Sequence, residues 1–342
     1  MKTGWQKYFN YILVLIVAAA FAVARPLFSD YYTLIVILVF IWAFLATSWN
    51  IIGGYCGQHS LGHGLYMGVG AYAVAYLTSA FGLTTWVGIV VALVCSAIVA
   101  WFIGWVVFRY QIKGAYFALV TIALAEMAVY VVSNIKALGG AGGLQMEYVG
   151  ASFKYLQFST KTGYYYMGVI LMAGLLLYIT WASRQKFFCY LQAVRENEDA
   201  AEALGVNTVR EKIKANIVSG VFCAVGGVYY VQYFLYVSPR SVFGEVISVQ
   251  ILLFAIIGGL STVWGPFIGA AILVPVVEIT RSQLGTTFAG ASLLIYGAVM
   301  VLTMLFMPYG ILGLAKRIVQ RVRRKGGGGE AGEAVPAGGE AA

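Results

Sequence analysis

Residues 86–107 read WVGIVVALVCSAIVAWFIGWVV, an unbroken stretch without one charged side chain. A helix rises 1.5 Å per residue, so about 20 such residues span the hydrocarbon of a bilayer. A strand cannot replace it in lipid unless a barrel closes, because its backbone groups would have no partners. Working outward, comparable apolar runs fall at 8–24, 32–50, 65–82, 116–132, 165–182, 215–237, 247–262, 266–280 and 290–308. With 86–107 they make ten. The fold expected is an all-α, multi-pass membrane protein of about ten helices.

The whole-chain composition agrees. Apolar types make up 61% of the 342 residues and charged types 10%, where a soluble domain carries about 25% charge. So little charge does not cover a water-facing surface, which excludes a cytosolic enzyme, a disordered chain and a secreted disulfide scaffold. The excess of 22 Lys and Arg over 13 Asp and Glu lies between apolar runs. It therefore bears on membrane orientation and not on nucleic acid.

With the N-terminus placed inside and the spans alternating, Arg25, Lys136, Lys154, Lys161, Arg240 and Arg281 fall outside. The other 16 of the 22 basic residues fall inside. That bias predicts an even number of spans with both termini cytoplasmic. The longest outer loop is 133–164, and the longest inner one is 183–214. Residues 1–315 are read as the membrane domain and 316–342 as a basic juxtamembrane segment with a disordered tail; its cluster 316–325 suits an anionic leaflet. A second reading of the first run is a secretory signal, since Lys2 and Lys7 precede an apolar stretch ending in Ala22-Val23-Ala24.

Three features inside this frame depart from plain helix. Residues 51–64, IIGGYCGQHSLGHG, are Gly-rich and weakly polar, which fits a loop or a broken helix at membrane depth. Ile51-Ile52-Gly53-Gly54 recurs as Ile256-Ile257-Gly258-Gly259; duplicated halves occur in transporters, and chance also explains four such letters. Glu126 is the only acid well inside a span, with Glu278 near a span end. A carboxylate at a helix centre costs a few kcal/mol, about 3 on insertion scales, so Glu126 should face other helices.

Several chemistries are missing. No Gly-Lys pair exists, so no G-x-x-x-x-G-K-[ST] phosphate loop forms. Asp30 and Asp199 are the only Asp and lie far apart. His59 and His63 are spaced as a helical metal pair, but Gly54, Gly57, Gly62 and Gly64 argue against a helix there, and no third ligand is near; no metal site is expected. Cys56, Cys95, Cys189 and Cys223 sit in apolar context without C-x-x-C, and read as buried free thiols.

The inner loop is the informative part. Residues 195–214, RENEDAAEALGVNTVREKIK, are rich in helix formers and have Gly205 as a natural stop. Ala200, Ala201, Ala203 and Leu204 supply a small apolar surface. Two readings stand on these residues: a helix that docks into a groove of a soluble partner, or an ordinary solvated connection.

Asp199-Ala200-Ala201, three residues, then Gly205 resembles the EAA-x-x-x-G signature of ABC importer permeases, with Asp in place of Glu. The wider stretch from Ala193 to Gly205 resembles the branched-chain amino acid permease family, in its LivM-type subunit. In order along the chain, similar pieces are Ser60-Leu61-Gly62-His63-Gly64 with Gly68-Val69-Gly70-Ala71-Tyr72, and Ile112 to Thr121 with Ala125-Glu126. The glycine loop 139–143, Gly258 to Thr262 with Gly265-Pro266, and Pro308-Tyr309-Gly310-Ile311 follow. Two positions depart: no Pro follows Ile213 and Ile217, and Leu138 stands where a Thr usually precedes the glycines.

The resemblance implies a non-enzymatic half of an inner-membrane importer. Its partners would be a homologous second permease, two cytoplasmic ATPases that bind the ATP and Mg, and a periplasmic binding protein. No cofactor would sit in this chain. Branched-chain amino acids (Leu, Ile, Val) are the implied substrates, with urea or a short amide as the alternative. A secondary transporter coupled to ions is the alternative from another class. Asp199, Ala200, Ala201 and Gly205 would couple to the ATPases. Gly62, Gly64, Tyr66, Gly68, Tyr72 and Glu126 are the candidates to line or support the translocation path.

Overall fold

The computed structural model describes residues 4–284 and, beyond them, the single positions Gly297 and Ile311. The tenth apolar run, Pro308-Tyr309-Gly310 and the segment 316–342 lie outside the described residues. The remaining nine runs each become a helix: α1 (Gly4–Ala24), α2 (Asp30–Asn50), α3 (His63–Phe81), α4 (Thr85–Arg109) and α5 (Ala115–Asn134), then α6 (Lys161–Ala182). After α6 the inner loop forms α7 (Lys186–Glu196) and α8 (Glu198–Ala203). Then follow α9 (Thr208–Phe234), the short α10 (Pro239–Val242), α11 (Glu245–Gly258) and α12 (Gly265–Leu284). One pair of two-residue strands, β1 (Leu144–Gln145) and β2 (Tyr236–Val237), ties the outer loop antiparallel to the end of α9. The protein is all-α and multi-pass. Among the described residues, six helical stretches are long and apolar enough to cross a membrane, and α1 and α12 hold shorter apolar pieces.

α2 is the centre. From Ile37 to Cys56 every residue but Trp42 is buried, as expected of a helix that is apolar on all sides. α6, α9, α11 and α12 surround it. α4 instead buries a narrow stripe of small residues, Gly88, Ala92, Ser96 and Ala100, against α3 and α9. Its far face leaves Val90, Val94, Ile98, Trp101 and Trp105 exposed. That pattern is inside-out for water and correct for lipid, where close approach of small residues holds helices together.

Where the sequence left 51–64 open between loop and broken helix, the structure gives a broken helix that doubles back. α2 runs on as one π-helical turn, Ile51–Tyr55. Gly57 then turns the chain at φ +74°, and Gln58 N–H donates to Ile52 C=O (3.0 Å). Trp49 Nε1–H donates to Ser60 C=O (2.7 Å), so the return strand lies beside the helix it left. The cysteine expectation needs correcting: Cys56 and Cys223 are buried, but Cys95 is half-buried and Cys189 exposed. Cys189 lies on the solvent face of α7, a helix the apolar runs do not reveal.

Candidate functional site

The inner loop is two helices, not one. Asn197, in extended backbone (φ −159°, ψ 112°), breaks them apart, and its Oδ1 accepts the N–H of Ala200 (3.0 Å) as the cap of α8. α7 is amphipathic. Phe188, Leu191 and Val194 are buried, and the Phe188 ring meets Tyr55 edge-on at 4.9 Å.

α8 ends in a Schellman turn: Gly205 N–H donates to Glu202 C=O (2.8 Å) and Val206 N–H to Ala201 C=O (3.1 Å). Gly205 stands at φ +86°, and a Cβ there would meet nothing within 4 Å. The four residues expected to meet an ATPase therefore divide. Ala201 is buried against its own chain, which removes it from the expected apolar surface of Ala200, Ala201, Ala203 and Leu204. Asp199, Ala200 and Gly205 face outward, and Leu204 beside them is 85% exposed.

Behind α8 lies a knot of charge that the sequence did not reveal. Lys212, on the first turns of α9, is 1% exposed and pairs with Glu198 Oε1. Its ammonium also sits 5.2 Å from the Phe108 ring. The Thr208 hydroxyl donates to Glu202 and lies 3.3 Å from Glu198 Oε1. Lys113, between α4 and α5, reaches Glu198 Oε2 (3.4 Å) and Asp199 (4.0 Å). Burial alone would raise the Glu198 pKa. The Lys212 ammonium, followed by Lys113, outweighs burial and holds the carboxyl below its ordinary value.

Two helix corners meet at the same end of the bundle. One is 51–57, after α2; the other is 259–264, between α11 and α12. Asn50 joins them with both ends of its amide: Ser261 N–H donates to its Oδ1 (3.0 Å) and its Nδ2 donates to Thr262 C=O (3.0 Å). Ser261 Oγ donates to Gly54 C=O (2.5 Å). The two Ile-Ile-Gly-Gly stretches thus lead into corners that touch. Arg195, from the last turn of α7, reaches both: its Nη1 donates to Gly54 C=O (3.3 Å) and to Ser261 Oγ.

Five of the six candidates for the translocation path are enclosed within this chain. Gly62, Gly64, Tyr66, Gly68 and Tyr72 are all buried. A Cβ on Gly62 would be driven into Thr121 C=O of α5; one on Gly64 would lie 2.8 Å from Phe243 C=O and Ser248 Oγ; one on Gly68 would enter the Phe243 ring. Tyr72 stacks on that ring at 5.5 Å, and Tyr66 OH donates to Asn216 Oδ1 (3.1 Å). Glu126 is half-buried, and its Oε1 accepts the N–H of Glu245 (2.9 Å) at the first residue of α11. There the helix terminus leaves N–H groups unpaired and favours a negative charge.

The two histidines do not converge. His59 is exposed, whereas His63 is buried with Nδ1 3.1 Å from Ser60 Oγ and Nε2 2.8 Å from Ser219 Oγ. Ser219 donates onward to Ser48 C=O (2.8 Å). Every link is satisfied with the ring neutral and protonated at Nε2.

Residues 31–304 match the family described as branched-chain amino acid transport system permease components. A high-affinity branched-chain amino acid transport system permease protein LivM of Salmonella typhimurium is 27% identical over 330 residues, 89% of this chain and 74% of that protein. The protein of the same name from Escherichia coli K12 is 27% identical over 329 residues. A probable branched-chain amino acid transport permease protein LivH of Methanocaldococcus jannaschii is 26% identical over 273 residues, 76% of this chain and 84% of that protein.

Proposed function

The chain belongs to the branched-chain amino acid transport permease family, and from that premise we propose that it is one membrane half of an ATP-driven importer for Leu, Ile and Val. A homologous second permease completes the channel. A periplasmic binding protein delivers the substrate, and two cytoplasmic ATPases bind ATP and Mg and supply the work. This chain contributes no covalent chemistry and no cofactor of its own. It lies in the inner membrane with ten spans and both termini in the cytoplasm, which places α7 and α8 on the cytoplasmic side.

One observation carries the coupling assignment. Leu204 is 85% exposed at the tip of a six-residue helix that Glu198, Lys212 and Lys113 brace from behind. It lies beyond the apolar spans, where lipid does not explain an exposed leucine, and Gly205 beside it leaves open space. A small apolar knob on a braced helix suits a groove on a soluble partner. ATP-driven closure of the ATPases would move α8, and the permease pair would alternate between outward- and inward-facing states.

Two variants test this. Leu204→Asp and Gly205→Asp should leave insertion intact, because both positions are outside the spans, and should strip the ATPases on co-purification and abolish uptake. Normal uptake with ATPases bound would end the assignment. Cys189 tests the orientation: an impermeant maleimide should label it in inside-out vesicles and not in intact cells.

A further inference from the structure

We propose that Arg195 is the positioning residue that transmits movement of the docking helix to the two glycine corners of the membrane domain. It rests on the reading of 198–205 as the ATPase-docking segment. Three observations place it. Arg195 stands two residues before Asn197, the cap of α8, so α8 cannot shift without displacing the end of α7. Its guanidinium donates to Gly54 C=O and to Ser261 Oγ, one acceptor from each corner. Its stem lies across Gly57, where an added Cβ would be 2.8 Å from Arg195 Cγ and 3.3 Å from its Cβ. Gly57 thus serves both its own left-handed turn and the passage of the arginine.

The corners are where four helices change direction: α2 into α3, and α11 into α12. Gly258 and Gly269 let α11 and α12 touch backbone to backbone just beyond. Asn50 fixes the corners to each other from inside the bundle. Arg195 reaches both corners from the end of α7, whereas Phe188, earlier on α7, meets only Tyr55 of the first. Glu196 beside it, at 3.7 Å, is its ion-pair partner; that pair is exposed and leaves the fork free to hold both acceptors. A planar guanidinium presents several N–H groups in fixed directions, and a lysine ammonium on a flexible stem does not replace them. α8 and the corners then move as one lever, and without the arginine the polar link that holds both corners to α7 is lost.

The test uses the assembled transporter in proteoliposomes, with the second permease, ATPases and binding protein, and reads ATP hydrolysed per substrate carried. Arg195→Ala should keep the ATPases at wild-type stoichiometry and hydrolysis within about twofold, and raise ATP spent per substrate at least about tenfold, a loss of roughly 1.4 kcal/mol of coupling. Arg195→Lys should fall between. Ser261→Ala, which removes one acceptor and no cation, should raise the ratio by a smaller factor. Combined with Arg195→Ala it should add less than it does alone, because the two changes share the Arg195–Ser261 contact, while the Ser261–Gly54 hydrogen bond is lost only with the serine. A wild-type ratio in Arg195→Ala, additive effects in the double variant, or loss of ATPases from Arg195→Ala would each overturn the proposal. If the Arg195→Ala permease does not fold, Ser261→Ala alone decides: an unchanged ratio overturns it. Leu204→Asp probes the docking assignment separately, because it does not touch the arginine. ATPases retained there would defeat that assignment and leave the Arg195 result to be read on its own.

Discussion

An added methyl at Gly70 would be driven into the carbonyl oxygen of Ala224, while one at Gly205 would meet nothing within 4 Å. The same residue is required in both places for opposite reasons. At the start of α3 and along it, Gly62, Gly64, Gly68 and Gly70 have no left-handed backbone, and their neighbours forbid a side chain. At the end of α8 the neighbours are absent, and the backbone itself, at φ +86°, disfavours one. The first region is finished within this chain. The second has an open flank with an exposed leucine beside it. A closed region announces how the fold holds together, and an open one shows where something else arrives.

Four measurements would break or sharpen that contrast. The largest effect is expected at Gly70→Val, where overpacking against backbone gives neither atom anywhere to go. The cost should exceed the roughly 1–3 kcal/mol of ordinary overpacking, and the protein should lose its monodisperse peak in size-exclusion chromatography. Gly174→Val, on α6 with open space at its Cβ, should keep the peak. Equal behaviour of the two would show that tight contact is not what α3 needs its glycines for.

Next in size is Glu198→Ala. It leaves Lys212 buried without its carboxylate, which should cost about 3–5 kcal/mol in thermal unfolding. Lys212→Met removes the buried cation and leaves Glu198 with Lys113, so it should cost clearly less. A reversed order would mean that the charge knot does not brace α8.

Third, Gly205→Ala should cost about 1–2 kcal/mol, the penalty of a left-handed residue with a Cβ. Gly205→Asn should cost less, because Asn tolerates that conformation. Amide hydrogen exchange over 198–206 reads both, and a loss as large as that of Gly70→Val would mean that the flank of Gly205 is not open.

The smallest effect is with pH. The Glu198 carboxyl is held below its ordinary value of 4.5, so its stabilising contribution is fully present above that value. It is lost as pH falls through the lowered folded value. Exchange of 198–206, corrected for its intrinsic pH dependence, should therefore be flat from about pH 8 to 5.5 and should rise only below the ordinary carboxylate range near 4.3. Loosening already at pH 6 would mean that another group controls the loop.

Much of the architecture was legible because lipid applies its test locally. Each span must be apolar over about 20 residues and satisfy its own backbone, so nine runs read from the sequence became helices without any knowledge of their neighbours. α7 escaped because it is only 11 residues long and buries just three of them, Phe188, Leu191 and Val194. Their spacing of three was the signal available. Asp199, Ala200 and Gly205 could be placed on a helix end from propensity and resemblance, yet the direction each faces could not. Ala201 turned inward and Leu204 outward because α8 is clamped on one side by residues 10 to 14 positions away. Glu126 was expected against other helices, and its actual partner, the first N–H of α11, lies 119 residues along the chain.

The sequence by itself determined an all-α, multi-pass chain, the stretches that enter lipid, and a polar loop with a helix stop at Gly205. Each of these follows from hydropathy summed over neighbours or from the backbone needs of a single residue. Only the tertiary structure decided that residues 51–57 fold back, that they meet 259–264, that Lys212 is buried on Glu198, and that Arg195 spans the two corners. Those contacts join groups as far as 212 residues apart. Their energy depends on burial and on hydrogen-bond direction, and both exist only once the helices have been brought together.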